Sequence, residues 1–223
     1  MRRARVERVP AAGERVALPA DVAHHLIRVL RLGQGDVVEA FDGHGRSALV
    51  VLDGDGDIVG RGDMRVSHVR RPLELLLGVP KGGALETVVR MATEIGVTRI
   101  HLVLAERSVA RPDRPDRVRR WVEEAARQCG RSDVPPVGLP CSLADAWAAT
   151  SPDCVRLFAQ PGSASAPACP AGAAVAIGPE GGWTDGERHA SAAAGARPMG
   201  LGPQVLRTDT AAAVALGWLS ISC

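Results

Sequence analysis

The sequence predicts an α/β protein in two parts: a small β-barrel over residues 1–71, then a parallel-sheet domain over residues 72–223 with helices on both faces. Three observations carry this. Short apolar stretches punctuated by Gly- and Asp-rich turns fill the first third. After Leu73 the rhythm becomes apolar runs alternating with helical periodicity. The Arg70-Arg71-Pro72 step between them reads as a linker.

In the first part, Val37 to Phe41 and Ala48 to Leu52 are expected as strands flanking the Asp42-Gly43-His44-Gly45 turn. Asp53-Gly54-Asp55-Gly56-Asp57 is a second turn, followed by Ile58-Val59 and Met64 to Val66 as further strands, with one short helix over Asp21 to Leu30. The alternating aspartates resemble the opening of a calcium loop. Met64 stands where the closing glutamate is needed, so a plain hairpin turn is expected and no metal. His24 and His25 are adjacent and point different ways on a helix, which again gives no metal site.

In the second part, Leu73 to Val79 reads as a strand buried on both faces. Leu85, Val88, Val89, Ala92 and Ile95 recur at helical spacing, ended by Gly96, and Val97 to Leu104 is the next strand. Asp116 is expected to cap a helix presenting Val118, Trp121, Val122, Ala125 and Cys129 on one face, stopped by Gly130 and Pro135-Pro136. Ser142 with Asp145, and Thr184 with Glu187, have the spacing of capping boxes. Strands are expected at Val155 to Ala159, Ala173 to Ile177 and near Met199 to Leu201. Ser163 to Pro170 is a loop of small residues, and Asp209 to Ile221 is the last helix.

Composition removes several function classes. Aromatic residues make up 3% and tyrosine is absent, so Ala, Val and Leu must fill the core. The five cysteines are odd in number and form no C-x-x-C pair, which fits thiols in a reducing cytoplasm rather than disulfides or zinc. The basic start MRRARVERVP lacks an apolar stretch behind it, and no run is long enough to span a membrane. Net charge is only +2, yet basic residues cluster at Arg2 to Arg8, at Arg61 to Arg71 and at Arg107 to Arg131, where eight Arg face four acids. Such clusters on a nearly neutral chain suggest a polyanion partner.

Two familiar nucleotide motifs are missing: Gly200-Leu201-Gly202 lacks the third glycine of a dinucleotide fingerprint, and no phosphate-binding P-loop occurs. Ile177-Gly178-Pro179-Glu180-Gly181-Gly182 instead follows one strand and precedes a capped helix, and Leu201 to Ala211 follows another. Ligands of open α/β sheets bind at the carboxyl ends of strands. Two such loops at one edge give backbone groups and an apolar wall suited to adenosine. Lys81-Gly82-Gly83 and Glu106-Arg107-Ser108 close two further strands and could hold phosphate or base.

Lys81-Gly82, Glu106-Arg107-Ser108, Ile177 to Gly182 and Leu201 to Ala211, together with His24-His25-Leu26, Val29 to Leu32, Gly35-Asp36, Phe41-Asp42-Gly43, Ala92 to Val97, Trp121, Glu124 to Ala126, Gln128 and Gly130-Arg131, resemble the RsmE-type 16S rRNA (uracil-N3)-methyltransferase family of the SPOUT superfamily. The resemblance runs over nearly the whole chain. It implies a PUA-like β-barrel followed by a SPOUT domain with a trefoil knot, S-adenosyl-L-methionine as cofactor, 16S rRNA or the small ribosomal subunit as partner, and a homodimer. The chain departs from the family pattern at Gly83, Ala84, Gln204 and Asp209.

Carried onto this sequence, the resemblance and the loop positions name cofactor-binding residues Phe158, Ala159, Ile177, Gly178, Pro179, Glu180, Gly182, Leu201, Gly202, Leu206, Arg207 and Thr208. Arg107, Glu180 and Arg207 are the catalytic candidates. Arg31, Lys81, Arg107, Arg119 and Arg131 are the RNA-binding ones. A uracil N3 carries a proton, so the reaction needs either a base or stabilisation of the uridine anion. The other readings are a related enzyme methylating a ribose 2′-hydroxyl or another base, and a non-catalytic ribosome-assembly factor.

Overall fold

The computed structural model describes residues 2–67, 71–108, 115–164 and 172–222. Arg70 of the expected linker, most of the 163–170 loop, and Arg111 and Arg114 of the third basic cluster lie outside the described residues. Contacts divide the chain into two compact units, residues 1–69 with 126–134, and residues 70–125 with 135–223.

The first unit holds a six-stranded sheet. Its strands are β1 (Arg3–Arg5), β2 (Arg15–Val16), β3 (Val37–Phe41), β4 (Arg46–Leu52), β5 (Ile58–Gly60) and β6 (Arg65–Val66). The order is β1-β3-β4-β5-β2, with β6 on β4; β1 joins β3 in parallel and the other pairs are antiparallel. The single expected helix is a short α1 (Ala20–His24) running into a π-helical turn over His25–Val29. Val38, Ala40, Val50, Leu52 and Ile58 close a core against Leu26 and Leu32.

β1 and β2 are additions to the expected strands, and their chemistry explains why periodicity does not show them. Arg3 is 8% exposed. Its guanidinium donates to Glu39 at 2.8 Å, to the Arg131 carbonyl at 2.6 Å and to Ser132 Oγ at 2.9 Å, and lies over the Phe41 ring. A buried cation is tolerated only with such partners. Arg8 pairs with Glu14 at 2.8 Å, and Arg15 pairs with Asp53, Asp55 and Asp57 at 2.8–2.9 Å. Part of the N-terminal basic cluster is therefore structural, and the Asp53–Asp57 turn meets an arginine. Among the described residues no group of three metal-ligating side chains forms.

The second unit is built on a five-stranded, wholly parallel sheet in the order β11-β9-β10-β7-β8. These strands are β7 (Leu73–Gly78), β8 (Arg99–Val103), β9 (Val155–Ala159), β10 (Ala173–Ile177) and β11 (Arg197–Met199). Every residue of β7 and β10 is buried, which requires cover on both faces. α2 (Ala84–Ile95) and α6 (Thr208–Ser222) pack together, and α6 reaches β7 and β10. α4 (Leu143–Ala148) and α5 (Asp185–Ala193) also pair. Trp147 anchors their side of the core, its indole donating to Ser191 Oγ at 3.1 Å.

The caps match the expected spacings. Gly96 ends α2 in the left-handed region at φ 113°. Ser142 accepts the Asp145 amide, and Thr184 and Glu187 form a complete capping box. α3 (Pro115–Cys129) differs: Pro115 opens it, so Asp116 stands inside the first turn rather than at the cap. A proline suits that first position because its missing N–H would have no partner there.

Candidate cofactor and active site

The carboxyl ends of the parallel strands surround a cleft of about 500 Å³. Four segments line it: Ala159, Gln160 and Pro161 after β9; Ile177 to Glu180, Gly182 and Trp183 after β10; Leu201, Gly202 and Gln204 to Thr208 after β11; and Arg107 after β8. Arg188 of α5 and Ala211 of α6 complete the wall. This is the size and position at which α/β sheets take small-molecule ligands.

The loop after β10 is held from several sides. A side chain on Gly78 would begin 2.5 Å from the Pro179 ring, so only glycine lets the β7 end touch this loop. The Glu180 carboxylate accepts the Lys81 amide, with its two oxygens at 3.1 and 3.3 Å. Gly182, at φ +65°, donates to the Pro179 carbonyl at 2.8 Å, which closes the turn. Arg107 donates through Nη1 to the Gly181 carbonyl at 2.9 Å, pinning the β8 loop across it. Glu187 ties the same loops from below, accepting the Glu106 amide at 2.9 Å and the Thr184 amide at 2.8 Å.

The loop after β11 is tied at its ends. Gly200 donates to the Ala164 carbonyl at 2.7 Å, and a side chain there would begin 1.8 Å from the Ser163 carbonyl oxygen. The chain thus passes directly beneath the segment that leaves β9. At the other end, Thr208 Oγ1 donates to the Gly178 carbonyl at 3.1 Å, joining the two loops. Between these ties Gly202 to Val205 are exposed.

The lining combines Arg107, Arg188 and Arg207 with one carboxylate, Glu180, above an apolar floor of Ile177, Leu206 and Ala211. Arg188 donates to the Trp183 carbonyl at 2.6 Å and pairs with Asp185. The hydrogen bond from Arg188 to the Asp185 carboxylate, together with the Arg188 charge, holds that carboxyl below its ordinary range. Arg207 is largely exposed beside Asp209. Apolar faces, backbone groups and guanidinium donors fit a ligand carrying a base, hydroxyls and a carboxylate. The single acid fits a ligand that also bears a positive centre.

The structure gathers Arg107, Ala159, Ile177, Gly178, Pro179, Glu180, Gly182, Leu201, Gly202, Leu206, Arg207 and Thr208 around this cleft. Phe158 is not among them. It is 4% exposed and packs in the α4 and α5 core, because neighbouring residues of a strand face opposite sides. Lys81 lies at the edge, contributing its amide to Glu180. Arg119 is exposed beside Asp116 on α3. Arg31 is exposed with φ 55°. Arg131 is 4% exposed and bonded to Asp133 at 2.6 Å, so its guanidinium faces protein rather than solvent.

Gln160, Pro161, Trp183 and Arg188 join the lining without having been expected, and Gln204, Val205 and Ala211 join it from the expected Leu201 to Ala211 loop without having been singled out as cofactor-binding. For Trp183 a signal was available, since a lone aromatic directly follows the glycine-rich turn. Arg188 had none beyond its helical spacing from Thr184.

A family model described as an RNA methyltransferase domain matches residues 68–220, and one described as an RNA methyltransferase PUA domain matches residues 18–56. The ribosomal RNA small subunit methyltransferase E of Synechocystis sp. is 33% identical over 220 residues, covering 92% of this chain and 72% of that one. The Mycobacterium tuberculosis protein of the same name is 33% identical over 247 residues, with 97% and 90% covered. Among solved structures, that enzyme from Neisseria gonorrhoeae bound to S-adenosylmethionine superposes with a TM-score of 0.89 at 25% identity, covering 99% and 97%. A Legionella pneumophila methyltransferase with bound S-adenosylmethionine gives 0.84 at 27%, covering 98% and 96%.

Proposed function

Because the chain belongs to the ribosomal RNA small subunit methyltransferase E family, we propose that it methylates N3 of a uridine in 16S rRNA, in the cleft at the carboxyl ends of β8, β9, β10 and β11. It is a S-adenosylmethionine-dependent rRNA methyltransferase with a PUA-type N-terminal domain and a SPOUT-type catalytic domain. The observation that carries the proposal is the convergence of two glycine-bearing strand-end loops on one cleft with an apolar floor and a single carboxylate.

S-adenosylmethionine supplies a methyl group activated by its sulfonium. The backbone of Ile177, Gly178, Gly182, Leu201 and Leu206 would hold its adenosine, with Arg188 near enough to the wall to serve a carboxylate. Arg107, fixed on the Gly181 carbonyl, and Arg207, largely exposed, stabilise negative charge developing on the uracil as its N3 proton leaves. Glu180 either accepts that proton or complements the positive centre. Much of the acceleration comes from alignment, on the order of 7–11 kcal/mol at best. The target base has to be unpaired or flipped to enter.

Four further readings belong to the same proposal. Arg31, Lys81, Arg107 and Arg119 contact RNA phosphates. The enzyme is a homodimer, supported by Val214, Trp218 and Ile221, which leave an exposed apolar stripe along α6. The C-terminal chain forms a trefoil knot, supported by the crossing of Gly200 beneath Ser163 and Ala164. Its site of action is the cytoplasm; no helix among the described residues is long and apolar enough to cross a membrane.

Nucleoside mass spectrometry of 16S rRNA from a strain lacking the protein tests the reaction. Loss of one 3-methyluridine, restored by the purified enzyme with S-adenosylmethionine, is the expected result. Loss of a 2′-O-methyl nucleoside instead overturns the N3 assignment. RNA affinity should also fall steeply with salt, since phosphate contacts release counterions.

A further inference from the structure

Trp183 is 5% exposed, and its indole Nε1 is a buried side-chain donor with no partner among the described residues. Buried polar groups in native proteins are nearly always hydrogen-bonded, so such a donor calls for a reason. An indole N–H can only donate, so whatever satisfies it must bring an acceptor. Its position narrows the choice. Trp183 lines the cleft, and a side chain built on Gly178 would begin 3.4 Å from both Nε1 and Cε2 of the indole. The donor edge therefore stands directly behind the glycine wall of the site, covered by backbone without side chains. By contrast, Trp147 on the same side of the sheet has its indole nitrogen satisfied by Ser191 at 3.1 Å.

We propose that the Trp183 indole N–H is a cofactor-linked donor, which gains its acceptor from S-adenosylmethionine as the Gly178–Gly182 turn adjusts around the ligand. This rests on the cofactor reading above. Gly178 makes the adjustment possible because it carries no side chain to wedge the turn against the indole, and Gly182 lets the turn keep a left-handed backbone. Trp183 is then a specificity-determining residue: it favours ligands that present an acceptor at this wall. A purely packing role would need only the ring.

The test uses the full chain with S-adenosylhomocysteine as the probe. In calorimetry, Trp183→Phe, which keeps an aromatic ring and removes the N–H, should weaken binding about tenfold. In wild-type protein, the Trp183 indole proton resonance, assigned by its nuclear Overhauser contacts to the Gly178 protons, should move downfield and become protected from exchange when the probe binds. An indole resonance that does not respond while wild type binds the probe overturns the proposal and leaves the cofactor reading standing, even if the variant fails to fold. Equal affinity in a folded variant does the same. Failure of wild type to bind the probe overturns both.

Discussion

Toward the amino-terminal end of the parallel sheet, Glu74 of β7 is 3% exposed and fully engaged: one oxygen meets His101 Nε2 at 2.7 Å and the other accepts the Ser151 amide at 2.9 Å. At the carboxyl end of the same strands, the Trp183 indole has no partner among the described residues and Arg207 stands largely in solvent. The two ends are made of the same strands and comparable residues. One end satisfies its polar groups from within, while the other, though tied together by Glu180, Arg107 and Thr208, leaves the Trp183 donor and the Arg207 guanidinium in reserve at the cleft. The difference separates what stabilises this fold from what it uses on a ligand.

The sharpest way to break that contrast is Gly178→Val. Its branched side chain would press on Trp183 and Gly182 and fill the cleft wall. S-adenosylhomocysteine affinity measured by calorimetry should fall at least about a hundredfold, or about 2.8 kcal/mol, with the far-ultraviolet circular dichroism unchanged. Wild-type affinity in a folded variant would remove this loop from the site.

His101→Leu should do the opposite. It takes the partner from a buried carboxylate, costing about 3 kcal/mol in urea unfolding, while the folded fraction keeps its cofactor affinity. Arg207→Ala comes next, expected to lower turnover about tenfold with a change in unfolding free energy within about 0.5 kcal/mol. A loss of stability equal to that of His101→Leu would show that the open end is structural after all.

The smallest effect is in pH. Burial pushes the Glu74 carboxyl up, but the His101 and Ser151 hydrogen bonds outweigh this and leave it below its ordinary value. A lowered folded-state pKa means that its contribution is complete above the unfolded-state value and is lost as pH falls through the folded one. Melting temperature should therefore decline as pH drops below the usual carboxylate range, less steeply in Glu74→Gln than in wild type.

Much of this contrast is legible in the sequence, and the illegible part has physical causes. Val155 to Ala159 and Ala173 to Ile177 are strands as their apolar runs require, Thr184 and Glu187 form their capping box and Ser142 caps its helix, because these signals act over a few residues. The cleft loops are legible for the same reason: glycines with a lone acid at a strand end are local marks. β1 is hidden because Arg3 becomes a core residue only through Glu39 and the backbone near Arg131, far along the chain. Arg131 reads as an RNA ligand from its charge, and only folding places Asp133 against it in a buried setting. Phe158 and Ala159 differ by one step along a strand, and the apolar run alone does not say which of them turns inward.

The pairing of Leu73 with Ala173 has a consequence for how this protein is made. A ribosome synthesising the chain has β7 and its neighbour β8 outside the exit tunnel long before β10, the strand on the other side of β7, has been translated. The first unit also waits, for residues 126–134. Newly made chain must therefore keep apolar strands waiting for distant partners, a condition that slows folding and exposes it to aggregation. Slower translation, or a chaperone holding the nascent chain, should raise the soluble yield more than a stabilising surface substitution would.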